Sequence, residues 1–197
     1  MNFLPGNYYH VFNQGNNRQT VFLKDAYYEI FLNLFKMHVH PHCITINYSI
    51  MPNHFHFLIY CDDRYGFWNS RALKELHPIN EGFRMTLSRY SRLVNNIEGR
   101  SGSFFRQNTK AKCIQDEVKL GSVLRSRTSY LEECFYYIHQ NPLKAGLVGD
   151  LADWQYSAYG EYTGLAKDGI CDLERAERDC GFDRKTFRDR CHVLEYV

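Results

Sequence analysis

No Cys-x-x-Cys pair occurs among the seven cysteines, Cys43, Cys61, Cys113, Cys134, Cys171, Cys180 and Cys191, and their number is odd. The spacing argues against a zinc ribbon or a thioredoxin-type site, and the odd count argues against a secreted disulfide framework. These thiols are expected to be reduced and mostly buried. Also missing is any apolar run of the roughly 18 residues that a membrane span needs. The opening MNFLPGNYYH has no signal-peptide core. The expected setting is the cytoplasm, with no membrane partner. Internal repeats are absent as well. Acids are scarce from Arg84 to Arg127, where three (Glu98, Asp116, Glu117) face ten Lys or Arg, in a chain whose formal net charge is only +2. A basic segment inside an otherwise acidic chain suggests a polyanion met by one face. A solvated helix face followed by a loop gives the same count.

What is present describes a folded protein. The chain has 197 residues, 44% hydrophobic and 16% aromatic, which suits one compact domain with a decorated terminus. Residues 8 to 14 read as a strand and GNNR at 15 to 18 as a turn, since Gly and Asn tolerate positive φ. Asp25 is expected to cap a helix running to about Met37 through Tyr28, Phe31, Leu32 and Phe35. Residues 43 to 50 and 54 to 61 read as an antiparallel hairpin about Met51-Pro52-Asn53, and 62 to 79 as a polar, irregular insertion. A helix from about Glu81 to Asn96, a strand from Ser103 to Ile114, and a helix from Ser129 to Gln140 stopped by Asn141-Pro142 complete the core pattern. The order β-α-β-β-α-β-α predicts an α/β (α+β) fold: an antiparallel sheet of four to five strands with helices on one face. Beyond it lie an arm through DWQYSAYGEYTG and a charged helical tail from Leu165, so residues 1–164 are expected to form the working domain and 165–197 an appendage.

Within the hairpin, MPNHFHFLIY at 51 to 60 carries two histidines in an apolar run. Alternation along a strand points His54 and His56 one way and Phe55, Phe57 and Ile59 the other. Two imidazoles at i and i+2 can hold a divalent cation if another group completes the site. On its own the pattern is more commonly structural. His38, His40 and His42 alternate too, but Pro41 and a helix end make that stretch a surface turn. In the helix YLEECFYYIHQNP, Leu131, Phe135 and Ile138 fall within about 60° and form a core stripe, with Tyr136 nearly opposite, toward solvent. Tyr137 and Asn141 share one side of that stripe, about 40° apart, and Tyr130 lies on nearly the same side two turns earlier. Taken alone, this geometry equally describes a core-edge tyrosine and a C-cap asparagine.

The combination of YHVFNQGNNR at 9 to 18, MPNHFHFLI, YYIHQNPLKAGLV and DWQYSAYGEY resembles the REP-associated tyrosine transposases, a branch of the single-tyrosine HUH transposases, from about Tyr9 to Tyr162. The resemblance implies a ferredoxin/RRM-like HUH endonuclease fold. It implies that His54 and His56 bind a divalent metal, Mg²⁺ or Mn²⁺, with the side-chain oxygen of Asn141 as third ligand, and that Tyr137 is the nucleophile. The implied activity is metal-dependent cleavage and rejoining of single-stranded or hairpin-repeat DNA through a 5′-phosphotyrosine, by a monomer or homodimer. Basic and amide side chains are the expected DNA contacts: Asn13, Asn16, Asn17 and Arg18 at the end of the first strand, Arg84, Arg89 and Arg92 on the helix, and Arg106, Lys110 and Lys112 alternating along the next strand. Gln14 stands where many members carry a basic residue. Tyr60 and Phe105 are candidates for base stacking, with core packing as the alternative for each. Two rival readings remain: a catalytically idle nucleic-acid-binding protein on the same fold, and an unrelated metal-dependent hydrolase, which the lack of an Asp/Glu cluster beside the histidines disfavours.

Overall fold

The computed structural model describes residues 2–62, 77–114, 127–166 and 169–193. Four strands, β1 (Asn7–Gln14), β2 (Ile44–Met51), β3 (His54–Cys61) and β4 (Lys110–Cys113), form one antiparallel sheet in the order β2-β3-β1-β4. The long helices are α1 (Asp25–His38), α2 (Pro78–Glu98) and α3 (Arg127–Lys144). Three short ones follow: α4 (Tyr159–Thr163), α5 (Leu173–Asp179) and α6 (Phe187–His192). The expected mixed architecture and hairpin are present, with Met51 paired to His54 across Pro52-Asn53. Most of the expected insertion at 62 to 79 lies outside the described residues.

One face of the sheet is aromatic. Phe57 stacks on Phe35 of α1 with ring centroids 3.9 Å apart, and Phe55 meets Phe31 of α1 at 5.1 Å and Phe83 of α2 at 6.2 Å. Truncating one such buried ring to Ala costs about 3–5 kcal/mol. The two helices approach closely because residue 82 is glycine: a Cβ there would lie 2.2 Å from the His38 carbonyl oxygen. The expectation of helices on one face therefore describes α1 and α2. α3 lies against the opposite face, where Asn47 Nδ2 donates to the Phe135 carbonyl at 2.8 Å. Its apolar stripe of Leu131, Phe135 and Ile138 is buried there, and burial of that stripe is what draws the helix onto the sheet.

Several local expectations are corrected. Asp25 occupies the first helical position and caps nothing; Lys24 is the N-cap. α2 starts at Pro78, with His77 Nδ1 accepting from the Ile79 amide at 3.3 Å. The fourth strand is short, because Phe104 and Phe105 turn into the core, leaving only a single bridge from Phe105 to Gly15 before β4. α3 runs past Pro142 to Lys144. It stops where Gly146 adopts φ +66°, with the Leu147 amide bonded to the Pro142 carbonyl at 3.0 Å and the Gly146 amide to that of Leu143 at 3.0 Å. Paired 6→1 and 5→2 bonds of this kind end a helix at a left-handed glycine.

Tyr136, expected at the solvent side, is fully buried. The C-terminal segment covers it: the Arg190 guanidinium sits 4.1 Å from its ring centroid, and its hydroxyl donates to the Gly181 carbonyl at 3.2 Å. Gln140 donates to the Val193 carbonyl at 2.7 Å. α3 is thus packed between the sheet and the segment after α5. The arm before it runs along the outer edge of β2, where the Ile50 amide donates to the Tyr156 carbonyl and the Ala158 amide to that of Tyr48, both at 2.9 Å. Covering an edge strand in this way blocks pairing with another chain.

Between these layers, His139 is fully enclosed by Phe135, Phe187 and Tyr162, with ring centroids 4.7, 5.0 and 5.1 Å away. Neither of its ring nitrogens has a hydrogen-bond partner, and burial pushes its pKa down to about 3. The unfolded chain therefore binds a proton below the ordinary value of 6.5 that the folded chain refuses, so stability is lost as pH falls below 6.5. This residue alone is expected to contribute a slope of about 1.4 kcal/mol per pH unit once the unfolded imidazole is fully protonated. Urea melts of wild type and His139→Phe across that range check it: the variant should show the shallower acid slope, and parallel slopes would contradict the assignment.

Candidate active site

The second face of the sheet carries the site. On β3, His54 and His56 follow the hairpin loop directly, and β1 sets Gln14 opposite His54 and Phe12 opposite His56. β4 adds Lys110 opposite Phe12 and Lys112 opposite His10. α3 crosses this face so that the Tyr137 ring lies 5.7 Å from that of His56, nearly perpendicular to it. The result is a cleft of about 270 Å³ lined by Phe12, Asn13, Gln14, His54, His56, Arg106, Asn108, Lys110 and Tyr137. Residues far apart in sequence, two imidazoles, a phenol and two cationic side chains, open into the same space.

Each histidine uses Nδ1 on a neighbour. His54 Nδ1 donates to Asn53 Oδ1 at 2.5 Å, and His56 Nδ1 lies 2.8 Å from His10 Nε2. Burial depresses the pKa of His54 and holds that of His56 well below its usual 6.5, with His10 and His54 adding to the effect at His56. Both rings are neutral at pH 7, the state a metal ligand requires. Each Nε2 is without a protein partner among the described residues. That donor chemistry fits a divalent cation completed by oxygen ligands. No cluster of three His, Cys, Asp or Glu able to hold a metal occurs among the described residues, so oxygen from an amide, water or substrate would have to complete the set. His38, His40 and His42 make no such cluster either, and His40 Nδ1 bonds to Thr45 Oγ1 at 3.0 Å.

Burial raises the pKa of the Tyr137 phenol above its ordinary 10, Cys134 adds to the rise, and the nearby Asn141 side chain opposes it. Asn141 is buried one turn along α3, and its Nδ2 donates to the Tyr137 carbonyl at 3.0 Å. It does not line the cleft. Lys144, seven residues on from Tyr137, holds its ammonium 5.6 Å from the Tyr137 ring centroid. Neither Lys144 nor His10 was singled out by the sequence. The i+7 spacing on one helix is a signal that would have found Lys144; His10 needed the register of β1 on β3.

The expected DNA contacts fall in different places. Arg106 and Lys110 are exposed and line the cleft, and Lys112 is exposed on the same face of β4, its ammonium 5.0 Å from the Tyr130 ring centroid. Arg84 is exposed on α2 and paired with Glu81. It borders a larger groove of about 620 Å³ that shares Arg106 and Asn108 with the cleft. Arg92 is exposed on α2, and Arg89 lies beside His38 near the end of α1. Asn13 is buried, with Nδ2 bonded to the Arg106 carbonyl at 3.1 Å and to Thr109 Oγ1 at 3.0 Å. Asn13 therefore fastens the 106–109 segment that forms one wall. Asn16 bonds to the Ser103 carbonyl at 3.0 Å, and Asn17 and Arg18 are exposed with positive φ. Phe105 is in the core, and Tyr60 is half-buried beneath the Arg175 guanidinium at 3.9 Å. Among the described residues no helix is long and apolar enough to cross a membrane.

No protein-family model matches the sequence, and no curated protein sequence matches it. Among solved structures, a bacterial tRNA(His) guanylyltransferase (Thg1)-like protein in complex with ATP aligns over 100% of this chain and 75% of that one. Its TM-score of 0.42 and 9% identity are too low to bear on function. A REP-associated tyrosine transposase bound to a REP hairpin aligns over 87% of this chain and 92% of that one, with a TM-score of 0.54 and 12% identity. The chain has the fold of that transposase.

Proposed function

We propose that this protein is a metal-dependent single-stranded DNA endonuclease and strand transferase acting on hairpin-repeat DNA, with Tyr137 as the nucleophile. One observation carries the reading: the Tyr137 phenol, the histidine pair and two cationic side chains, Arg106 and Lys110, line one cleft. The shared fold with a transposase bound to a REP hairpin supports it. His54 and His56 would hold the cation, Mg²⁺ or Mn²⁺, and the side-chain oxygen of Asn141, outside the cleft lining in this structure, would have to turn toward it to serve as the third ligand. When bound, it would neutralise a non-bridging phosphate oxygen and polarise phosphorus.

The chain's own residues supply the rest. Arg106, Lys110 and Lys112 track the DNA backbone and bring the scissile phosphate to the cleft. Arg84, on the neighbouring groove that shares Arg106 and Asn108 with the cleft, would extend that track, with Arg92, Asn16, Asn17 and Arg18 as further phosphate contacts. Tyr137 loses its phenolic proton and its oxygen bonds to phosphorus. The bond from phosphorus to the 3′-oxygen breaks, and that oxygen takes up a proton as a free 3′-hydroxyl. The 5′-phosphate remains on Tyr137, so attack by a 3′-hydroxyl reverses the step. Burial of the phenol makes ionisation harder, so nearby positive charge matters most at this point. A single chain carries every group named, which suits a monomer as well as a homodimer; residues 1–164 would form the catalytic domain, working in the cytoplasm, with 165–197 as a supporting tail.

Tyr137→Phe keeps the ring packing and removes only the nucleophilic oxygen. It is expected to abolish the DNA-linked band on a denaturing gel, with Mn²⁺ and a hairpin-repeat oligonucleotide, and to leave DNA affinity within about twofold, a few tenths of a kcal/mol. Adduct formation by the variant would move the nucleophile elsewhere, with Tyr130 next in line. A wild type that binds the hairpin and never forms the adduct would favour the idle DNA-binding protein.

DNA affinity is also expected to fall steeply with salt, each phosphate contact on a single strand adding about −0.7 to the log-log slope. Replacing Arg106, Lys110 and Lys112 together with Gln should flatten that slope by about two units. Fluorescence anisotropy over a salt series measures it, and an unchanged slope would place the DNA on another surface.

A further inference from the structure

His10 has no role in the reading above, yet it is in direct contact with its centre. It is buried on β1, and its Nε2 lies 2.8 Å from His56 Nδ1, the rings 4.9 Å apart. We propose that His10 is a positioning residue that fixes the tautomer of His56, keeping the His56 proton on Nδ1 and its Nε2 lone pair turned to the cleft. This rests on the proposal that His54 and His56 hold a divalent cation.

A neutral imidazole carries one proton on two nitrogens, and only the bare nitrogen can bind a cation. Two ring nitrogens 2.8 Å apart share one proton between them. If His10 donated, His56 Nδ1 would be the bare nitrogen and the proton would sit on Nε2, facing the cleft and blocking it. If His56 donates, His10 accepts through Nε2 and His56 Nε2 is free. The neighbouring ligand shows the same polarity: His54 Nδ1 bonds to Asn53 Oδ1, an oxygen that can only accept. With His10 as acceptor, both rings turn the same nitrogen to the cleft. Metal-binding histidines are commonly held by such a partner on the other nitrogen, which also raises ligand basicity.

Two variants of the full-length protein separate this role from simple packing. His10→Phe keeps a planar ring and removes the acceptor; His10→Gln restores an acceptor oxygen at a similar reach. Mn²⁺ binding, followed by electron paramagnetic resonance of the free ion, is expected to weaken about 10- to 100-fold in His10→Phe. His10→Gln should recover most of it. Nitrogen-15 NMR of the metal-free wild type is expected to show His56 protonated on Nδ1. Wild-type Mn²⁺ affinity in His10→Phe, equal losses in both variants, or a His56 proton on Nε2 would each overturn the proposal. If His10→Phe fails to fold, the wild-type NMR signature still decides. If the wild type binds no Mn²⁺ in a His56-dependent manner, the metal site itself fails, and the tautomer measurement still tests the His10 assignment.

Discussion

The strict alternation of β3 is the constraint on which the remaining architecture rests. It is paired on both sides, by β2 and by β1, so its register cannot slip by one residue without exchanging every side chain between faces. The energetic weight lies on the Phe55 and Phe57 face, where rings from α1 and α2 stack on the strand. A slip would expose those phenylalanines, at several kcal/mol each. The aromatic face therefore fixes the orientation of His54 and His56 on the other side, although no phenylalanine from that face touches the cleft. Stability and site geometry are two sides of one strand.

Much of this was legible locally. Period-two alternation and the Pro-Asn turn revealed the hairpin, and helical spacing on α1 picked out Phe31 and Phe35, which meet the sheet. The histidine pair and Tyr137 were readable as candidates because strand and helix periodicity report direction without any long-range information. What stayed hidden depends on pairings across the chain. His10 lies 46 positions before His56 and reaches it only through the β1–β3 register. Tyr136 sits on the side of α3 that reads as solvent-facing, and a segment about 50 residues later covers it. A single helix can show one apolar stripe clearly; a second stripe of tyrosine and glutamine reads as surface until its partner is known. Pro142 misled for another reason: a proline near a helix end forfeits one hydrogen bond, and the last turn can do without it when a left-handed glycine follows.

Burial shapes the electrostatics of the cleft more than fixed charges do. The histidines are held neutral and the phenol is held protonated by the same cause, removal from water. The first effect favours a cation ligand; the second opposes a nucleophile. In the proposed reaction such a site would be quiet when empty, because the phenol that would have to ionise has little reason to do so until positive charge arrives beside it.

The packing of α3 has a mechanical side. Held by Asn47 on the sheet and by Gly181, Arg190 and Val193 on its far side, the helix can neither roll nor slide without breaking contacts at two interfaces at once. Its freedom is that of a bolted beam. Any displacement of the Tyr137 oxygen relative to the histidines must then come from its own two side-chain torsions, so the reach of that oxygen is a short arc set by one residue and not the sweep of a moving helix.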